Sequence, residues 1–519
     1  MPRSVESAIQ PLVAAPEHGT ARRTNRRTVV LMLSAAAYLY LHLFAFPKTP
    51  LLLGGDQTYF WMDGQRMLYG DQPYRDFFQF TPPGTDLFYF LLFKLFGPHI
   101  WVTSFAVLVL GVALTWICFE VASQIMEFEL ASLAAALFLV FIYGKALNAT
   151  HHWFSILAVM CAVRVWQRPT TARLMTAGAF LGLASFFTQT RGVAGLVAFS
   201  TFLVWKRQHS GSPWRDLASQ FVLLLTSFAV TLLALSARFI EIAGARQLWY
   251  DEVTYVRLFM VHGLVSQFMG LPEPLSWAAL PRLAPYLFVY VSLPAIYSLM
   301  LWKCWRERRN PRCARGLVTL LTLTGLVLLV EVASSLNWLR LYAVAMPGMI
   351  LLIWAVGGTK TIRPYAIAIA WIAIWAVAIR QTGARYIGRP LVLDTPGGKT
   401  LVSRQTYTKL QSLMEYTKPG QSMFQAAGPG IYIPLQICNS VFLDAVETNQ
   451  QTRPEHIERT IHELEVKGVQ FVLWSHRLDD TDQFDRPTEN IINPLRDYVR
   501  ERYVRVQVFA DRDELWERK

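Results

Sequence analysis

Long apolar runs dominate the chain. Val29–Phe46, Ile100–Phe119, Leu217–Ala237 and Tyr286–Trp302 carry no formal charge, and each approaches the ~20 residues that cross a bilayer as a helix. Further runs lie near Leu130–Tyr143, Ala146–Val163, Leu317–Leu336, Leu341–Val356 and Tyr365–Ile379. Leu174–Trp205 is too long for one span and holds only Arg191, so it is split there into two helices. The pattern predicts about eleven membrane helices. Two long polar segments, 47–99 and 238–283, interrupt the series. After Ile379, Gly, Pro, Asp, Glu and Gln return: Gln425–Leu435 sets glycine and proline turns beside an apolar run, His456–Lys467 reads as a helix, Val469–Trp474 as a strand, and Tyr503–Phe509 alternates like a half-buried strand. The expectation is a cytoplasmic segment 1–28, a membrane domain 29–380 and a small soluble α/β domain 381–519.

Composition agrees with this reading. Hydrophobic residues make up 53% of the chain and charged residues 16%, against roughly 25% charged in soluble domains. The formal net charge of +13 would suit nucleic acid, but the basic residues cluster in short loops, as the positive-inside rule expects. Arg22, Arg23, Arg26 and Arg27 precede the first run. Later loops hold Arg164, Arg168 and Arg173, then Lys206, Arg207 and Arg215, then Lys303, Arg306, Arg308, Arg309, Arg312 and Arg315, and last Lys360 and Arg363. All fall on one face if the N-terminus is cytoplasmic. The 47–99 loop, the 238–283 loop and the C-terminal segment then share the outer face. Val29–Phe46 is longer than a signal-peptide core and has no small-x-small site after it, so it reads as an uncleaved first helix. The five cysteines form no disulfide framework or zinc pattern.

The first outer loop is the richest stretch. Asp56, Asp63, Asp71, Asp76 and Asp86 stand among aromatics such as Tyr74, Phe77 and Phe78. It is too polar to span and too aromatic to float in water, and it fits helices at the membrane surface. If 56–66 is helical, Asp56, Tyr59, Asp63 and Arg66 fall within about 80° and aim polar groups at a headgroup. A carboxylate there can take a proton from an acceptor hydroxyl, while an arginine stabilises a phosphate leaving group. Arg191 and Arg340, near the ends of apolar runs, are the cations for that task, because charge within a membrane marks function by default. Asp56 could instead cap a surface helix, Tyr74 could anchor at the interface, and both arginines could snorkel. His151-His152 has no spaced carboxylate partner, and no cluster demands a metal. Pro396-Gly-Gly-Lys-Thr400 is similar to a phosphate loop but has Leu393 where the first glycine belongs.

Asp56-Gln57, Gly70–Asp76, Pro82–Gly84 and Leu95-Phe96-Gly97, with Gln189–Gly192 and Arg340-Leu-Tyr followed by Pro347, resemble the polytopic glycosyltransferases of the GT-C fold. The resemblance is to the branch of protein O-mannosyltransferases and the lipid A aminoarabinose transferase (family 39-like). It implies an α-helical polytopic membrane protein with a small extracytoplasmic α/β domain, in a bacterial inner membrane. It implies inverting transfer of a sugar from a polyprenyl-phosphate donor to a glycan, lipid or protein acceptor, with no further cofactor and no nucleic acid. Asp56 takes the position of the first-loop aspartate, with Asp76 in support. Gln57, Tyr59, Tyr74, Arg75, Arg191 and Arg340 are the expected substrate contacts. Two departures stand out: Gln57 replaces the family's glutamate and Thr81 its lysine, for which Arg75 or Arg191 would compensate. A flippase of lipid-linked glycans and an inactive scaffold of the same fold are the alternatives.

Overall fold

The computed structural model describes residues 18–45, 47–166, 170–210, 213–260, 271–306, 316–335, 338–357, 363–447, 451–479 and 490–519. The first seventeen residues of the expected cytoplasmic segment, Arg168, the basic stretch from Arg308 to Arg315, Asn337 and Lys360 lie outside them.

The apolar runs are helices. α1 (His18–Leu43) ends in a short antiparallel ribbon, β1 (Phe44–Ala45) with β2 (Thr49–Pro50). The first polar segment folds as α2 (Gln57–Leu68) and α3 (Gly84–Phe96). These two pack closely enough that a Cβ on Gly64 would sit 2.7 Å from the Tyr89 Cβ. α4 (Ile100–Ala122) follows, then α5 (Phe128–Leu137), whose last turns widen into a π-helix over Phe138–Tyr143. α6 (His151–Val165) starts later than its apolar run, because residues 144–150 turn back and Thr150 takes an extended backbone at the helix entry. α7 (Thr171–Phe187) and α8 (Gln189–Ser210) form a hairpin broken at Thr188, whose backbone is extended. Gly192 permits the hairpin: a Cβ there would lie 2.2 Å from the Ser185 Oγ.

α9 (Trp214–Ala243) lies along α7. Gly178 and Gly182, one turn apart, bring the α7 backbone against the Leu224 and Phe228 carbonyls, where a Cβ would stand 2.5 Å from either oxygen. Small residues at this spacing let membrane helices approach by van der Waals packing alone. The second polar segment is largely helical: α10 (Ala245–Trp249) continues as a π-helix over Tyr250–Met260. α11 (Leu280–Leu287) and α12 (Leu293–Arg306) form one long rod, followed by α13 (Gly316–Glu331). The next run is not a single helix. It breaks into α14 (Trp338–Ala343) and α15 (Met346–Gly357), because Pro347 is tolerated in a first helical turn but clashes inside a continuous helix. α16 (Arg363–Ile387) closes the bundle.

Ile100–Ala122, Trp214–Ala243, Arg282–Arg306 and Pro364–Ile387 are long and apolar enough to cross a membrane by length and composition. Only 17% of the apolar window of α9 and 11% of that of α16 is buried within the protein. Val222, Leu225, Val230 and Leu233 on α9, and Ile369, Ile372, Trp375 and Ile379 on α16, therefore face outward. A continuous apolar exterior of this kind requires lipid.

The remaining chain is α/β. β3 (Leu391–Thr395) and β4 (Gly398–Val402) form a hairpin, so the glycine-rich stretch at 396–400 is its turn, with Gly398 at φ +112°. α17 (Arg404–Tyr416) leads to β5 (Met423–Gln425), then α18 (Tyr432–Leu435), α19 (Pro454–Val466), β6 (Phe471–Trp474), α20 (Asn493–Arg502), β7 (Tyr503–Val508) and β8 (Glu514–Arg518). The four-stranded sheet has the order β5-β6-β8-β7, with β5 parallel to β6 and the other pairs antiparallel. This unit sits on the first polar segment: the Phe78 amide donates to the Phe442 carbonyl at 2.9 Å, and Met62 packs with Leu393, Val402 and Leu435.

Candidate active site

Gly55, at φ +80°, turns the chain into α2 and leaves Asp56 at the helix entrance. Asp56 occupies the capping position, yet its side chain makes no capping hydrogen bond. The carboxyl is open to solvent, although protein crowds it on most sides, as in a cleft. That crowding raises its pKa above the ordinary aspartate value, and the charge of Arg340 together with a backbone hydrogen bond pulls in the opposite direction. Arg340 lies within electrostatic reach of Asp56, Glu331 and Arg191.

Arg191 stands behind this pair on the first turn of α8 and is almost wholly buried. Its Nη1 donates to the His152 carbonyl at 2.7 Å and to the Ser155 Oγ at 3.1 Å. Its Nε has no hydrogen-bond partner and lies 3.7 Å from Glu331 Oε2, while Thr190 holds the other Glu331 oxygen at 2.5 Å. Thr188 spans the same corner, donating toward the His151 carbonyl and the Ser155 hydroxyl, both at 3.2 Å. The His151 and His152 rings lie against each other, tilted by 48° with centroids 3.9 Å apart, and the Nδ1 of each lacks a hydrogen-bond partner.

The C-terminal unit supplies the outer rim. Tyr59 donates to Glu447 Oε1 at 3.1 Å, and Glu447 lies within electrostatic reach of Asp56 and Arg477. Burial raises the Glu447 pKa, against the Tyr59 hydrogen bond and Arg477.

The other expected contacts are engaged elsewhere. Gln57 is buried: its Nε2 donates to the Gly54 carbonyl at 3.0 Å, and its Oε1 accepts the Ala149 amide at 3.4 Å. It locks the loop to the bundle. Asp76 closes a local turn, accepting the Gln72 amide at 2.8 Å and Arg75 Nη2 at 2.7 Å; the Arg75 bond foremost lowers its pKa. Arg75 is exposed and bound to that same carboxylate. Tyr74 is buried, with φ +67°, and its hydroxyl lies 2.9 Å from the Thr81 carbonyl and 2.8 Å from Glu252 Oε1. The hydroxyl donates toward both oxygens, and burial lifts Glu252 to about 7 against the Tyr74 bond. Tyr74 thus ties the two polar segments together.

The expected polar face of α2 also divides. Asp56 and Tyr59 line the cleft, but Asp63 is fully buried and Arg66 nearly so. Arg66 pairs with Asp71 at 2.9 Å and Asp444 at 3.2 Å, and donates to the Val441 carbonyl at 2.7 Å. Gln79 Nε2 bridges Asp63 and Asp86 at 3.1 Å each, and Asp63 is hydrogen-bonded to Asp444. Burial drives Asp63 and Asp86 well above the carboxylate range and Asp444 to about 7. The lower half of that face therefore docks the C-terminal unit and does not meet a headgroup.

Comparison with solved structures puts the architecture in context. The chain superposes on ArnT from Cupriavidus metallidurans in the apo state with a TM-score of 0.59 at 12% identity, covering 95% of this chain and 98% of that one. The same protein bound to undecaprenyl phosphate gives 0.54 at 13% identity, covering 96% and 98%. The archaeal oligosaccharyltransferase AglB from Archaeoglobus fulgidus, in complex with an inhibitory peptide and a dolichol-phosphate, gives 0.51 at 11% identity, covering 88% and 70%. The fold is that of the GT-C glycosyltransferases. The sequence family described as dolichyl-phosphate-mannose-protein mannosyltransferase matches residues 81–231, a stretch of the GT-C bundle that includes Arg191 but begins after Asp56. No curated protein matches the chain in sequence.

Glu331 and Glu447 were missed by sequence reasoning. Glu331 is a single acid at the end of an apolar run, and a lone charge within such a run is itself a signal. Glu447 is one acid among many in the soluble segment, and only the folded contact with Tyr59 singles it out.

Proposed function

We propose that this protein is a membrane glycosyltransferase that moves a sugar from a polyprenyl-phosphate donor to an acceptor hydroxyl on the outer face of a bacterial inner membrane. One observation carries the reading: an uncapped, solvent-open Asp56 carboxyl lies within electrostatic reach of Arg340, beside the polar corner formed by Arg191 and Glu331, within a GT-C fold.

Asp56 accepts the acceptor's proton as its oxygen attacks the anomeric carbon from the face opposite the phosphate. The new carbon–oxygen bond forms as the bond to phosphate breaks, which inverts the centre. The electron pair leaves on the polyprenyl phosphate, where the Arg340 guanidinium neutralises it. A raised pKa suits Asp56 to this role, because a stronger base takes the proton more readily. Arg191 is held by Glu331 and by backbone and hydroxyl acceptors, so it acts by orienting Glu331 and supporting Arg340. Glu447 offers a carboxylate at the rim where Gln57 cannot, and Tyr59 steers it. Asp76 and Arg75 have turn-closing work and are assigned no chemical step.

The test is transfer of labelled sugar from polyprenyl-phosphate donors by membranes holding wild type or Asp56→Asn at equal protein level. Transfer by wild type and its loss in the variant support the reading. Equal transfer by both removes Asp56 as the base. Lipid binding without transfer from any donor favours a flippase or scaffold.

A further inference from the structure

α1 and α16 run side by side in the same direction but are joined at one end only. There, Tyr38 donates to Gln381 at 3.1 Å, and the Tyr386 hydroxyl meets the Leu41 and Phe44 carbonyls at 2.6 Å. Toward the other end the helices part, and a groove of about 640 Å³ opens between α1, α5 and α16. Ala35, Ser132 and Ala136 line it from α1 and α5, and Trp371 and Trp375 from α16. At its mouth stand Arg26 and Arg27. We propose that this groove holds an acyl chain of an anionic phospholipid, with the lipid phosphate against Arg26 and Arg27.

Two observations carry the assignment. The first is charge. Glu129 also stands at the mouth, but Arg27 lies 3.6 Å from it and offsets it, leaving Arg26 in excess; among the described residues Arg26 has no ion-pair partner. A basic mouth between helices on the arginine-rich side of a membrane protein attracts anionic headgroups.

The second is shape. From Arg26 to Tyr38 the groove follows α1 for about 18 Å at the helical rise per residue. Beyond the charged mouth its lining is mainly apolar, from Val30, Leu31 and Ala35 to Ile374 and the two tryptophans, which suits a methylene chain lying along it.

The inference rests on the membrane setting and is independent of the reaction assigned to Asp56.

The experiment uses the full-length protein, delipidated in mild detergent and titrated with dioleoyl-phosphatidylglycerol or dioleoyl-phosphatidylcholine under native mass spectrometry. Wild type is expected to prefer the anionic lipid. Arg26→Glu with Arg27→Glu should weaken phosphatidylglycerol binding roughly tenfold or more, since two surface cations are reversed, and leave phosphatidylcholine unchanged. Ala136→Phe, which fills the slot, should remove binding of both. The two arginines are exposed, so their variant tests the idea even if Ala136→Phe does not fold. Equal affinity of wild type for the two lipids, or undiminished phosphatidylglycerol binding after the arginine reversal, overturns the proposal. So does a groove occupied by a second copy of the chain, detected by cross-linking from Ala35→Cys.

Discussion

Asp56 and Asp63 lie seven residues apart on one face of α2, and their surroundings could hardly differ more. Asp63 is sealed: it shares Gln79 with Asp86, hydrogen-bonds to Asp444, and is closed off by the C-terminal unit. Asp56 keeps its carboxyl open, uncapped and opposite an arginine from a distant helix. Both are raised in pKa by surrounding protein, so a perturbed carboxylate does not by itself mark chemistry. What separates them is access: a group that reacts must leave an oxygen for substrate, whereas a group that holds two units together uses its oxygens on the protein.

The largest effect expected from this contrast is on transfer. Asp56→Asn keeps the shape and removes the proposed base, so transfer should fall about 10²–10⁴-fold with the melting temperature unchanged. Asp63→Asn should leave transfer within the same order as wild type. If the two variants lose activity alike, access is not what distinguishes them.

Arg191 tests the cleft from behind. Its side chain is almost fully buried beside Glu331, which is itself only 15% exposed. Arg191→Ala strands that carboxylate, and breaking a buried pair costs roughly 3–5 kcal/mol. Glu331→Gln in the same chain should restore most of the stability, because the stranded charge is gone. Thermal unfolding of the two variants in detergent checks this. A single variant as stable as wild type would mean that the pair does not hold the corner together.

Much of this was legible in the sequence, and the illegible part has a physical cause. The apolar runs foretold helices, and the break near Arg191 and the late helix and strands of the soluble segment fell near their expected places. Asp56 could be singled out because a glycine turn before a surface helix is a local feature. The split fate of the α2 face could not, since it depends on Asp444 and Val441, nearly 380 residues further along the chain. Gln57 and Tyr74 looked like substrate contacts for the same reason: their partners, Ala149 and Glu252, belong to segments that only folding brings near. Asp76 was the opposite case, because Arg75 beside it already gave the local explanation.

The sealed cluster should also report on pH. Asp444 titrates near 7 in the folded protein, against about 4 for an ordinary aspartate. Between those values the folded state keeps a proton that the unfolded chain has released, so stability is greatest at the acidic end and declines as pH rises toward 7. Glu252, at about 7, adds to the same slope. Asp63→Asn removes a group whose own folded pKa is raised, chiefly by burial, and with it that group's share of the slope, while its amide can still meet Gln79 and Asp444. The fall in melting temperature from pH 5 to 8 should therefore be shallower in that variant than in wild type. Identical slopes would place the pH dependence outside the cluster.

The smallest effect expected is at Arg75, and it sharpens the comparison from the other side. Arg75 and Arg340 are both arginines near the outer end of the bundle, but Arg75 is exposed and bound to its neighbour Asp76. An exposed ion pair contributes little, and Asp76 keeps the Gln72 amide at 2.8 Å without it. Arg75→Ala should therefore leave kcat/KM for donor and acceptor within about twofold of wild type, as expected for a solvated pair, while Arg340→Ala sharply lowers kcat. If Arg75→Ala instead raises KM for the lipid-linked sugar, the donor phosphate reaches the rim of the loop. Arg75 would then supply the charge that Thr81 lacks, and the cleft would extend further from Asp56 than Arg340 and Glu447 mark it.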